Sequence, residues 1–149
     1  MGNQIYNNAC ATIIIIYRVF YKDNGTLKKA SILSYGINKI GDSKCLNAGI
    51  HAEHDAIRKL LPLKNKKRLK AVSILVIRLS VKNKLQSSKP CSNCIEIMKN
   101  LPIKIGYKIK DVYYSDNEGN IVKTNLNNLD NEEKHYSSFY RKRHTNLFN

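Results

Sequence analysis

Nothing in this chain is long and apolar enough to cross a bilayer. The longest hydrophobic run, Ala11 to Ile16 extended to Phe20, is broken by Arg18 and falls short of the ~20 residues that a spanning helix needs. A secretory signal is not expected either, because Met1 to Asn8 is polar and lacks a basic opening. No internal repeat and no rich linker divides the sequence, so one domain is expected over residues 1–149, with a core at about 12–124 and a basic tail at about 127–149. Acidic residues are scarce: 11 Asp and Glu against 26 Lys and Arg leave a formal charge of +15. Such a surface attracts polyanions and excludes nothing smaller. The abundance of Lys, Asn and Ile also fits AT-rich coding, which weakens the charge as a sign of binding. The four cysteines do not read as a disulfide framework. Two form a Cys-x-x-Cys pair, while Cys10 and Cys45 stand alone as thiols. An intracellular, soluble protein with no membrane partner is the expectation.

What is present is a regular alternation of elements. Ile13 to Phe20 is β-branched and aromatic, and reads as a strand buried on both faces. Asp23-Asn24-Gly25 is a turn signal that leads into a second strand, Lys29 to Ile37. Lys39 to Gly49 is a loop. From His51 to Leu61 the apolar positions Ala52, Ala56, Ile57, Leu60 and Leu61 recur at helical spacing until Pro62. Lys64 to Lys70 is a basic connector, Ala71 to Leu79 a central strand and Val81 to Pro90 a loop. Cys94 to Leu101 reads as a helix ended by Pro102. Asp111 to Ser115 and Ile121 to Thr124 are strands joined by the turn Asp116 to Asn120, too short for anything but an antiparallel pair. The result is an α/β domain: a mixed five-stranded sheet flanked by helices in two or three layers, its fifth strand antiparallel.

Two short motifs carry chemistry. His51-Ala52-Glu53 opens the first helix, and Pro90-Cys91-Ser92-Asn93-Cys94 opens the second. One imidazole and two thiolates make three protein ligands for Zn2+, leaving a fourth tetrahedral position for water. Helix N-termini favour thiolates there. Glu53, two residues beyond His51, can reach a metal-bound water without ligating the metal and can move its proton.

With His-x-Glu followed by Pro-Cys-x-x-Cys, the chain resembles the cytidine/deoxycytidylate deaminase superfamily. The likeness extends to the element order from about Thr12 to Thr124. It implies attack of zinc-activated water on the amine-bearing ring carbon, with Glu53 protonating the ring nitrogen and then the departing amino group. Gly36-Ile37-Asn38 is similar to the family's Gly-x-Asn segment, where the Asn contacts substrate near the sugar. The resemblance also implies that Ala52 offers a backbone amide to the base carbonyl, and that Tyr114 packs on the base. Substrates of this class are nucleosides, nucleotides or single-stranded nucleic acid, and family members often assemble as homo-oligomers through the sheet's periphery. The chain departs from the pattern in the 40-position step from His51 to Cys91 and in Lys89, where small or acidic residues are commoner. The antiparallel fifth strand is more like free-nucleoside and bacterial toxin deaminases than the tRNA-adenosine or polynucleotide-cytidine branches.

Blander readings compete. Asn38 is turn-prone and can cap a loop, and Tyr114 can be packing alone. His54 faces away from His51 on the helix, and His135 and His144 lie in the basic tail. The lysines of 64–70 and Arg141-Lys142-Arg143 are ordinarily solvated, although aromatics beside the latter suit single-strand binding. The alternative to an enzyme is a catalytically silent deaminase-fold protein, a basic nucleic-acid-binding or structural component such as that of a virion.

Overall fold

In a computed structural model, which describes residues 11–38 and 50–132, the element order is β1 (Ala11–Tyr21), β2 (Leu27–Ile37), α1 (Ala52–Arg58), β3 (Lys70–Leu79), β4 (Leu85–Gln86), α2 (Ser92–Lys104), β5 (Tyr107–Ser115), β6 (Ile121–Thr124) and α3 (Leu126–Asn131). The strands form one mixed sheet in the order β2-β1-β3-β5-β6, with β4 on β3. Only β3 and β5 run parallel, joined through α2; the other pairs, β5 with β6 included, are antiparallel. Both short connections close as their sequences predict. Gly25 and Gly119 take φ of +80° and +84°, and Lys22 donates to Thr26 and Asp116 to Asn120 across the turn mouths. No described helix is long and apolar enough to cross a membrane.

The core occupies one face of the sheet. Ile14 and Ile16 of β1, Val72, Ile74 and Val76 of β3, and Ile109 and Val112 of β5 meet Ala52, Ala56 and Ile57 of α1, Cys94, Ile95 and Met98 of α2, and Leu126 and Leu129 of α3. β1 is therefore not buried on both faces. Ile14 and Ile16 are fully buried, but Ile13 and Phe20 are each 36% exposed. A run of four isoleucines carries no period, so the sequence cannot show which alternate positions turn away from the helices. On that outer face the register aligns Ile37, Ile13 and Ile77 in one row and Tyr35, Ile15, Leu75 and Tyr113 in the next.

Element ends differ from the sequence reading for local reasons. α1 stops at Arg58, not Leu61: Pro62 biases its predecessor toward extended backbone, and Leu61 is 80% exposed while Leu60 still reaches the core. Pro102 does not end α2. It lies inside the last turn, and the stop is at Gly106, whose φ is +98°, the left-handed closure that glycine supplies. The stretch read as a loop from Val81 to Pro90 contains β4, which folds back on Arg78 and Leu79 around Asn83. The ordered core also runs past Thr124, since Leu126 and Leu129 bury one side of α3 in what was read as tail. Lys39 to Gly49, Cys10, Cys45 and the tail from residue 133 onward lie outside the described residues.

Candidate metal centre

His51 and Cys91 occupy the same local position on two helices. Each is the N-cap residue, with extended backbone (φ −66°, ψ 148° and φ −74°, ψ 163°) and no side-chain capping bond. Their carbonyls accept the first intrahelical bonds, from Asp55 and Ile95 at 3.0 Å each. The backbone starts the helix, and the side chain is left to project past it. Cys94 follows one turn into α2 and is fully buried. This brings His51 Nδ1 to 3.1 Å from Cys94 Sγ and 3.6 Å from Cys91 Sγ, with all three donor atoms within 4.8 Å of one another. Donors on one tetrahedral zinc, bonded at ~2.0–2.3 Å, lie about 3.5–3.8 Å apart. These three residues can hold a metal ion, and their nitrogen and sulfur donors are of the type that zinc accepts.

The electrostatics of the metal-free cluster follow from its packing. The Cys94 thiol hydrogen-bonds to Cys91, and His51 adds a second bond; despite the opposing cost of burial, Cys91 is pulled down to about 4. Cys94 is pushed up because it holds the proton of that bond and is buried. The two shifts are opposite sides of one hydrogen bond, and a bound cation would displace its proton. His51 is raised by its bond to Cys91 against the opposing effect of burial. Glu53, 6% exposed, has its carboxyl against the Cys94 thiol, and burial raises its pKa above the ordinary carboxylate value. A buried carboxyl that can hold or release a proton therefore stands beside the three donors.

Ala52 is buried at the first helical position of α1. Asn38 is held by β1: its Oδ1 accepts from the Thr12 amide at 2.9 Å, and its own amide donates to Thr12 at 3.2 Å. Tyr114 lies on β5 opposite Val76 and Val122, partly buried against the core. Lys89 pairs with Glu132 at the end of α3. His54 stands outside the donor cluster.

Two supports had no clear signal in the sequence. A side chain at Gly36 would meet the Ala52 carbonyl at 2.2 Å and the Ala56 amide at 2.5 Å, so α1 rests directly on the β2 backbone. Asp55, fully buried, accepts from the Ile37 amide at 3.3 Å and from Lys59 Nζ at 2.8 Å. A glycine followed two residues later by an asparagine could have flagged the close approach, but nothing local marks Asp55.

No protein-family model matches this chain, and no curated protein sequence is significantly similar to it.

Proposed function

We propose that this chain is a zinc-dependent hydrolytic deaminase that converts cytosine to uracil in a nucleoside, a nucleotide or a single-stranded polynucleotide. The observation that carries the proposal is one arrangement: an imidazole nitrogen and two cysteine sulfurs within 4.8 Å of one another, with a buried carboxyl beside them. A closed structural site has no use for that carboxyl. A zinc ion held by His51, Cys91 and Cys94 would supply a water activated near neutral pH. Glu53 would carry the first proton of that water to the ring nitrogen, where it stays, and the second, from the hydroxyl added to the ring carbon, to the departing amino group, so that cytosine and water become uracil and ammonia. Its raised pKa suits both halves of the task, since a group that titrates closer to neutrality gives and accepts protons with less penalty. The element order and the antiparallel β6 support a deaminase-like core with the free-nucleoside and toxin pattern.

The test is a substrate panel. Zinc-loaded protein is incubated with cytidine, dCMP and single-stranded DNA or RNA while ammonia and uracil are followed. Turnover of any of these supports the proposal, and zinc bound without turnover on any of them rejects it. That second outcome would favour the silent, basic binding protein. A cleft of about 680 Å³ at the far end of α2, lined by Lys108, Lys110 and the Asp130-paired Lys99 over Met98, Ile109 and Leu126, is where such a protein could bind.

A further inference from the structure

β3 changes partner along one of its edges. As far as Val76 it pairs with β5, ending at Tyr114; from Arg78 the same strand pairs with β4. At the hand-over, the Val76 carbonyl and the Ser115 amide lose strand partners, and both are buried deeply enough to need replacements. Ser88 supplies them. Its hydroxyl donates to the Val76 carbonyl at 2.8 Å and accepts from the Ser115 amide at 2.8 Å, while its own amide donates to the Ser115 carbonyl at 2.8 Å. The Ser115 hydroxyl lies 2.8 Å from that of Ser88 and donates to the Gln86 carbonyl at 2.6 Å. Ser88 is 7% exposed and Ser115 fully buried. Few waters can stand in for either hydroxyl.

We infer that Ser88 and Ser115 form a clamp that positions Cys91 for metal binding. This rests on the metal-site reading above. Only Lys89 and Pro90 separate Ser88 from Cys91, a reach of about 10 Å at most, and Pro90 is fully buried with a restricted φ. Fixing Ser88 to the ends of β3 and β5 therefore fixes where the cysteine helix begins. The clamp touches no donor atom. It acts through the backbone that carries Cys91, so both serines are positioning residues.

The experiment measures zinc affinity by chelator competition on the full chain, for wild type and for Ser88→Ala, Ser115→Ala and the double variant. Thermal unfolding of each metal-free protein is recorded beside it. Ile109→Val, which trims a buried side chain on β5 away from the clamp, serves as the stability control. The clamp predicts about a tenfold weaker zinc affinity for Ser88→Ala, within the range for outer-shell partners, and no comparable loss for Ile109→Val at a matched fall in stability. Because the hydroxyls share one network, the double variant should lose less affinity than the two single losses combined. Hydrogen exchange in metal-free Ser115→Ala should quicken at the Ser88 and Cys94 amides, a readout that survives if Ser88→Ala fails to fold. Unchanged affinity and unchanged exchange with wild-type zinc binding intact would overturn the clamp alone. Wild-type protein that takes up no zinc would overturn the metal site and the clamp together.

Discussion

The two helices that meet at the candidate metal centre are seated by different physics. α1, which carries His51 and Glu53, is seated by shape: it lies on Gly36 with no room for a Cβ, steadied by the Ser34 hydroxyl donating to the Ala56 carbonyl at 2.6 Å. The segment that leads into α2, and with it Cys91, is tied down by polar groups, through the Ser88–Ser115 network where β3 parts from β5. One half tolerates nothing larger than hydrogen at its contact point, and the other nothing apolar at its own. Ligand geometry is therefore exposed to two kinds of damage, steric on the His51 side and desolvation on the cysteine side.

The largest effect should come from the group that the His51 half adds and the cysteine half lacks. Glu53→Gln keeps the shape of the site and should keep about one zinc per chain, while turnover falls by about 10²–10⁴-fold. Metal analysis beside the ammonia assay checks this, and a variant that stays active breaks the proton-shuttle assignment. Next comes Gly36→Val, which forces α1 off the sheet. Overpacking costs about 1–3 kcal/mol and occasionally more, and contact with helix backbone on both sides places this case at the upper end. Denaturant unfolding measures it; a loss well under 1 kcal/mol would mean that α1 is not seated by shape. Ser88→Ala leaves the Ser115 amide without its acceptor and should cost about 1–3 kcal/mol, read in the same assay.

The smallest expected effect concerns pH and the metal-free protein. Burial raises Glu53 in the folded chain, so its contribution to stability is complete below the unfolded carboxylate value and is lost as pH rises through the folded value. Glu53→Gln should match wild type near pH 4 and exceed it at pH 7, as expected when a functional group is held at a cost. Cys91 has the opposite sign: its contribution is present above the ordinary thiol value and lost as pH falls toward about 4. Measuring the difference between variant and wild type separates Glu53 from this background. Equal stability at both pH values would show that burial does not strain the carboxylate.

The sequence made legible whatever was encoded locally. His51, Cys91 and Cys94 could be named because ligand type and spacing are written in short motifs at helix starts, and the structure brings their donor atoms together. β2, β3 and β6 could be placed from apolar residues between turn signals. What escaped depends on distant partners. Ser88 looks like one polar residue in a polar stretch until Val76 and Ser115, each more than ten positions away, converge on it. Gly36 reads as one residue of a strand until α1 lands on it. α3 was merged with the basic tail because Leu126 and Leu129 declare an apolar side only when α2 and β5 stand opposite. Pro102 misled for another reason: α2 carries the loss of one amide donor inside its last turn, and the stop passes to Gly106.

The nearness of His51 to the cysteines has a consequence in polymer terms. His51 and Cys91 stand 40 positions apart, so they close a loop whose ends an unstructured chain must bring together before three donors can share one ion. The length-dependent part of that closure entropy is about 3 kcal/mol, equivalent to a few hundredfold in affinity. Folding meets this cost in advance through the sheet, so metal capture depends on tertiary structure more than on the motifs themselves. A peptide that joined the two motifs by a flexible segment would carry the same ligands and bind far more weakly.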